Sequence, residues 1–215
     1  MRAVVIANGT PPTPAMVRQV AAAADLVVCA DGGAHAAING NLCPHQVVGD
    51  FDSLDEETIT QLRQMGAEVH RYPACKDETD LELTLLRTVE LGADEIVVLG
   101  ALGGRLDQTL ANIMLLALPA LREIPVRIVD ETHEVQLING QGIIRGEVGD
   151  VVSLLPVAGD AVGIETDGLE WPLNGSTLSF GAARGVSNRL TKPVATVKVA
   201  SGLLVAIRLS NSGGS

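Results

Sequence analysis

Six short β-rich runs alternate with helical stretches over the first 130 residues, and this alternation narrows the possible folds more than anything else in the chain. The runs are "AVVIA" (Ala3–Ala7), "LVVCA" (Leu26–Ala30), "QVVG" (Gln46–Gly49), "AEVHRY" (Ala67–Tyr72), "EIVVLG" (Glu95–Gly100) and "VRIVD" (Val126–Asp130). Several are apolar on both faces, as parallel strands covered by helices must be. Between them, Thr13-Pro14 supplies an N-cap followed by proline at the first helical position. Ser53-Leu54-Asp55-Glu56 and Thr79-Asp80-Leu81-Glu82 read as capping boxes, with Gly66 and Gly92 placed to end their helices.

After about residue 131 the pattern changes. Runs such as "HEVQLI", "VVSLLPV", "VATVKVA" and "LLVAIRL" are separated by turn pairs, among them Asn139-Gly140, Gly159-Asp160 and Asp167-Gly168. Short strands punctuated in this way predict antiparallel sheets. The expected fold is an N-terminal doubly wound parallel α/β domain (residues 1–130) followed by a C-terminal antiparallel β-sandwich (131–215).

Composition excludes some functions. The net charge of −11 leaves no basic stripe to displace counterions, so no nucleic-acid partner is expected. No apolar run approaches the roughly 20 residues that cross a bilayer, so no membrane partner is expected. "MRAVVIANG" reads as a first strand and not as a signal peptide. The three cysteines, Cys29, Cys43 and Cys75, form no CxxC pair. Reduced thiols in a cytoplasm are the expectation.

In an open α/β sheet, ligands bind outside the carboxyl ends of the strands. Four charged or glycine-rich loops fall there: "DGGAH" (Asp31–His35), "GDFDS" (Gly49–Ser53), "KDETD" (Lys76–Asp80) and "GALGGRLDQ" (Gly100–Gln108). If Asp50–Asp52 is still extended, the two carboxylates share a face while Phe51 points to the core. Such a pair suits Mg²⁺, which takes one or two carboxylates and fills its shell with phosphate oxygens. The pattern alone equally permits a polar loop with two solvated acids. Asp55, Glu56 and Glu57 need no cation, because a first helical turn capped by Ser53 accommodates them. Asp80 alone reads as another first-turn acid. The glycines of "GALGGR" let backbone N–H groups approach a phosphate, or simply form a tight turn. Acid, glycine and base at four successive strand ends together describe a metal–phosphate site, with Lys76 and Arg105 offsetting the carboxylates.

The order "DGGAH … VVGDFDSL … KDETDLELTL … LGALGGRLDQTLANIMLL … GLEWPL … LSFGAARGVSN" closely resembles the thiamine pyrophosphokinase family from the first strand almost to the C-terminus. The resemblance implies transfer of pyrophosphate from ATP to the hydroxyethyl group of thiamine, with AMP released. It implies a homodimer with active sites between subunits. Carried over by motif, Asp50, Asp52 and Asp80 would bind Mg²⁺. Asp31, Gly32, Lys76, Thr79, Arg105 and Asp107 would line the nucleotide and phosphate site, with Arg105 also serving catalysis. Ser187 and Asn188 would belong to the thiamine pocket, and Trp171 would face the pyrimidine or, alternatively, fill the sandwich core. His35 departs from the asparagine expected after "DGGA". A pterin pyrophosphokinase, a phosphatase of the haloacid dehalogenase type and a non-catalytic nucleotide-sensing module are the competing readings.

Overall fold

The computed structural model describes residues 1–211. The chain divides after Glu131 into two compact units.

The first unit carries strands β1 (Arg2–Ile6), β2 (Leu26–Ala30), β3 (Gln46–Gly49), β4 (Glu68–Arg71), β5 (Glu95–Leu99) and β6 (Val126–Val129). All of their pairings are parallel, in the order β6-β5-β1-β2-β3-β4. The order reverses direction at β1, which pairs with β2 on one side and β5 on the other. A crevice opens at such a switch point, because successive connections leave it toward opposite faces of the sheet. Val4, Ile6, Leu99 and Ile96 are completely buried, as parallel strands covered on both faces require.

Helices α1 (Pro14–Ala21), α2 (Gly33–Asn39), α3 (Glu56–Met65), α4 (Asp80–Glu90) and α5 (Leu106–Met114) connect the strands. Thr13 caps α1 by accepting from the Met16 N–H, with Pro14 at the first helical position. Thr79 caps α4 through the Glu82 N–H. The start of α3 departs from the sequence expectation. Asp55, not Ser53, is its cap, accepting from the Thr58 N–H at 2.7 Å. Ser53 instead donates its hydroxyl to Asp52 Oδ1 at 2.9 Å. A carboxylate is the stronger acceptor at a helix N-terminus, and the Ser53 hydroxyl is engaged by a neighbouring acid. Glu56 and Glu57 remain in the first turn, and Gly66 ends α3 with φ 102°.

The second unit carries β7 (His133–Ile138), β8 (Gln141–Arg145), β9 (Val151–Pro156), β10 (Ala161–Asp167), β11 (Ser176–Leu178), β12 (Asn188–Arg189), β13 (Val194–Lys198) and β14 (Leu204–Leu209). Every pairing given for these strands is antiparallel, and they form the orders β12-β9-β14-β7 and β11-β10-β13-β8. Ile138, Leu154 and Leu204 from the first group pack with Ile144, Ile164 and Val197 from the second in one core. This is a β-sandwich, and each such side chain contributes about 1.5–3 kcal/mol by leaving water.

Candidate functional site

A cavity of about 700 Å³ lies at the carboxyl ends of the parallel strands. The sequence-predicted residues Asp31, Asp50, Asp52, Lys76, Thr79, Asp80 and Arg105 all line it. They arrive on four different loops, each following a strand of the sheet.

Asp31 leaves β2 with φ 44° and sits 4% exposed. Its N–H donates to the Val48 carbonyl of β3 at 2.8 Å, which ties the first acidic loop to the strand that delivers the second. Gly49 makes the approach possible, since a Cβ there would lie 2.9 Å from Asp31 Cβ. Asp50 and Asp52 do converge, but not because the strand continues. Phe51 between them adopts φ 65°, a left-handed conformation that costs a bulky residue about 1–3 kcal/mol. Burial of the Phe51 ring, 5% exposed, holds it there. The Asp52 N–H closes the turn on Asp50 Oδ1 at 3.0 Å.

Asp31, Asp50 and Asp52 each place a carboxylate oxygen within 4.8 Å of the other two. Asp31 Oδ1 is buried without a hydrogen-bond donor. Burial, with the charges of Asp80 and Asp52 added, pushes the Asp31 carboxyl above its ordinary range. Asp80 stands in the same cavity and is taken up by Lys76, whose Nζ lies 2.7 Å from Asp80 Oδ1 and 4.0 Å from Asp50 Oδ2. Gly32 and Asp107 do not line the cavity directly. A Cβ on Gly32 would fall 2.5 Å from the Asn8 side chain, so the glycine lets Asn8 pack over it. Asp107 pairs with Arg105 through Arg105 Nε at 3.2 Å, and this hydrogen bond draws the Asp107 carboxyl below its ordinary range.

Sequence reasoning missed the loop after β1. Asn8, Gly9 and Thr10 line the cavity beside Gly103 and Gly104. Gly9 N–H donates to the Gly100 carbonyl at 2.7 Å and Thr10 N–H to the Leu102 carbonyl at 3.1 Å. The available signal was position: "NGT" follows the first strand, at the same end as the other four loops. Asn112 was missed too. It lines the cavity, and its Nδ2 donates to the Ala101 carbonyl at 2.8 Å, fastening the glycine loop to α5.

In the second unit, Trp171 is 56% exposed and therefore no core residue. Its N–H donates to Asn188 Oδ1 at 3.0 Å, and Asn188 Nδ2 returns a bond to the Trp171 carbonyl at 2.7 Å. Ser187, at φ 63°, donates its N–H to Ser153 Oγ at 3.2 Å. The three residues therefore share one edge of the sandwich beside β12.

The model for the thiamin pyrophosphokinase catalytic domain matches residues 17–128. The model for the vitamin B1 binding domain of the same enzyme matches residues 132–204. The chain belongs to the thiamin pyrophosphokinase family. Thiamine pyrophosphokinase of Bacillus subtilis (strain 168) is 31% identical over 180 residues, covering 83% of this chain and 84% of the relative. Thiamine pyrophosphokinase 1 of Oryza sativa subsp. japonica is 28% identical over 216 residues, covering 87% and 80%. The crystal structure of thiamin pyrophosphokinase from Geobacillus thermodenitrificans superposes with a TM-score of 0.85 at 29% identity, over 99% of each chain. The yeast enzyme, at 18% identity and a TM-score of 0.79 over 97% of this chain and 86% of that one, shares the fold. Membership makes the chain an enzyme and sets aside the haloacid dehalogenase reading of "VVGDFDSL".

Proposed function

We propose that the chain transfers pyrophosphate from ATP to the hydroxyethyl group of thiamine in the presence of Mg²⁺, giving thiamine diphosphate and AMP. The observation that carries this reading is the trio Asp31, Asp50 and Asp52 around a buried, unpartnered carboxylate oxygen. Three converging acids in a chain of net charge −11 repel one another. Lys76, committed to Asp80 at 2.7 Å, reaches Asp50 of the trio only at 4.0 Å, which leaves room for a second cation. A set of hard carboxylate oxygens with an orphaned lone pair fits Mg²⁺. Asp31, Asp50 and Asp52 would hold the ion, with Asp80 beside them in the same cavity. When bound, the ion neutralises phosphate charge and orients the chain of phosphates for in-line displacement.

The remaining work is positioning and charge neutralisation by the chain's own groups. Lys76 and Arg105 would meet the phosphate oxygens, and Thr79 and Asp107 would hold the segments that carry them. The glycine loop from Gly100 to Arg105 would offer backbone N–H groups to the nucleotide phosphates. A cavity aspartate would accept the hydroxyl proton of the acceptor. Trp171 would present a flat apolar face to thiamine, with Ser187 and Asn188 supplying polar contacts.

We further propose a homodimer in the cytoplasm. Leu106, Leu110 and Met114 lie one turn apart along α5 and are 81%, 53% and 54% exposed, an apolar stripe that begins next to Arg105 and suits a second copy. All three cysteines are free, which suits a reducing compartment.

The test is AMP release from ATP and Mg²⁺ by purified protein, with and without thiamine. Thiamine-dependent AMP with thiamine diphosphate as co-product supports the reading. AMP that appears only with a hydroxymethylpterin overturns it in favour of a pterin pyrophosphokinase.

A further inference from the structure

The left-handed turn at Phe51 is what brings Asp50 and Asp52 together, and something must hold that turn against relaxation. Burial of the ring accounts for one side. The other side is covered by Arg71, the last residue of β4, which the parallel register sets beside Gly49 at the end of β3. Its guanidinium carbon stands 5.0 Å from the centre of the Phe51 ring. Its Nη1 donates to the Asp50 carbonyl at 3.3 Å, and its Nη2 to Glu56 Oε1 in the first turn of α3 at 3.2 Å. One planar side chain therefore touches the acid loop at its first carboxylate residue, at its strained residue and at the helix that follows.

We propose that Arg71 is a positioning residue that holds the Asp50–Asp52 turn in its carboxylate-converging form and so sets the affinity of the acid trio for a divalent cation. This rests on the reading of Asp31, Asp50 and Asp52 as the metal cradle. The guanidinium suits the task better than an ammonium, because its flat fork can cover a ring and donate in two directions at once. The contact with Glu56 contributes least, since both side chains are largely in water. The bond to the Asp50 carbonyl and the cover over Phe51 act directly on the turn. Arg71 lies outside the lining of the cavity, so its effect on chemistry passes through the loop it holds.

The experiment uses the full chain and two readouts. Amide hydrogen exchange over residues 50–53, measured without metal, reads the turn itself. Titration with Mn²⁺ alone, followed by electron paramagnetic resonance, reads the cradle. Arg71→Ala is expected to speed exchange in that segment and weaken Mn²⁺ by about tenfold, the loss of one hydrogen bond and one cation–π contact. Arg71→Lys, which keeps a cation over the ring and supplies a folded comparison, should recover part of both effects. Glu56→Gln should match the wild type in both.

Unchanged Mn²⁺ affinity in Arg71→Ala overturns the proposal, whatever the exchange shows. A loss in Glu56→Gln equal to that in Arg71→Ala also overturns it, by shifting the effect to the ion pair. A wild type that binds no Mn²⁺ overturns the metal reading of the trio, and the proposal with it. The metal reading stands alone if the wild type binds Mn²⁺ and all three variants bind it equally.

Discussion

Lys76 Nζ stands between two acids, 2.7 Å from Asp80 and 4.0 Å from Asp50, and is only 12% exposed. The lysine thus offsets part of the charge of an acidic cavity that it lines, where we propose that it meets a phosphate. Replacement by methionine keeps the stem and removes the charge. Turnover should then fall by about a hundredfold, the usual size for one lost electrostatic contact to a transferring group. Steady-state rates at saturating ATP check this, and a rate within threefold of wild type would remove Lys76 from the phosphate site.

Asp50→Asn and Asp52→Asn should each lower turnover by about a hundredfold or more while leaving the fold intact. The reasoning concerns repulsion. Three converging carboxylates destabilise the metal-free protein, so removing one charge should maintain or raise its melting temperature. Added Mg²⁺ should raise the melting temperature of the wild type and have less effect on either variant. Calorimetry with and without Mg²⁺ tests both parts, and an equal Mg²⁺ shift in all three proteins would contradict the metal assignment.

Much of this was legible because it is local. Thr13, Thr79 and Gly66 end or start helices through bonds within a few residues, and the period of the apolar runs separates sheet with helices from sandwich. The convergence of the site was harder to read. Asp31 joins Asp50 and Asp52 because β2 and β3 are neighbours, and Thr10 meets Leu102 because β1 sits beside β5. Strand order is a long-range property, and the motif-based placing of Asp80 with Asp50 and Asp52 did not show that Lys76 would occupy its carboxylate. The turn at Phe51 was illegible for another reason: an aromatic residue in a left-handed conformation contradicts local preference and persists only through packing. Asp55 took the cap from Ser53 in the same region, where the chain departs from extended geometry.

In the sandwich, Asp150 is 1% exposed and bonds Arg208 Nη1 at 3.0 Å, the Glu147 N–H at 3.0 Å and the Asn211 N–H at 2.9 Å. Burial raises its carboxyl, but the donors from Asn211, Glu147 and Arg208 outweigh burial and hold it below its ordinary range. A carboxyl lowered in the folded state adds stability above its unfolded value of roughly 4, and that stability is lost as pH falls through the lowered folded value. Asp150→Ala should cost about 3–5 kcal/mol at neutral pH, because it leaves the Glu147 and Asn211 N–H groups without their acceptor and Arg208 with Glu134 as its remaining partner. Urea denaturation at pH 7 and pH 3 should show a smaller acid-induced loss in Asp150→Asn than in the wild type.

The Trp171–Asn188 pair makes a separate prediction about the acceptor. Two reciprocal bonds between the Asn188 amide and the Trp171 backbone fix the segment that carries an exposed indole. Asn188→Ala removes both bonds while leaving the sandwich core untouched, since Asn188 lies at an edge on β12. Each bond is worth about 1 kcal/mol, so the KM for thiamine should rise by roughly tenfold or somewhat more. The KM for ATP should not change, because the residues proposed to meet the phosphates line the cavity at the parallel strand ends. Trp171→Ala should raise the thiamine KM at least as far, and Trp171→Phe should restore most of it by returning a flat apolar face. Tryptophan fluorescence offers a direct check, since Trp171 is the single tryptophan and its emission should shift when thiamine is added. An unchanged spectrum together with an unchanged thiamine KM in Asn188→Ala would place the acceptor elsewhere.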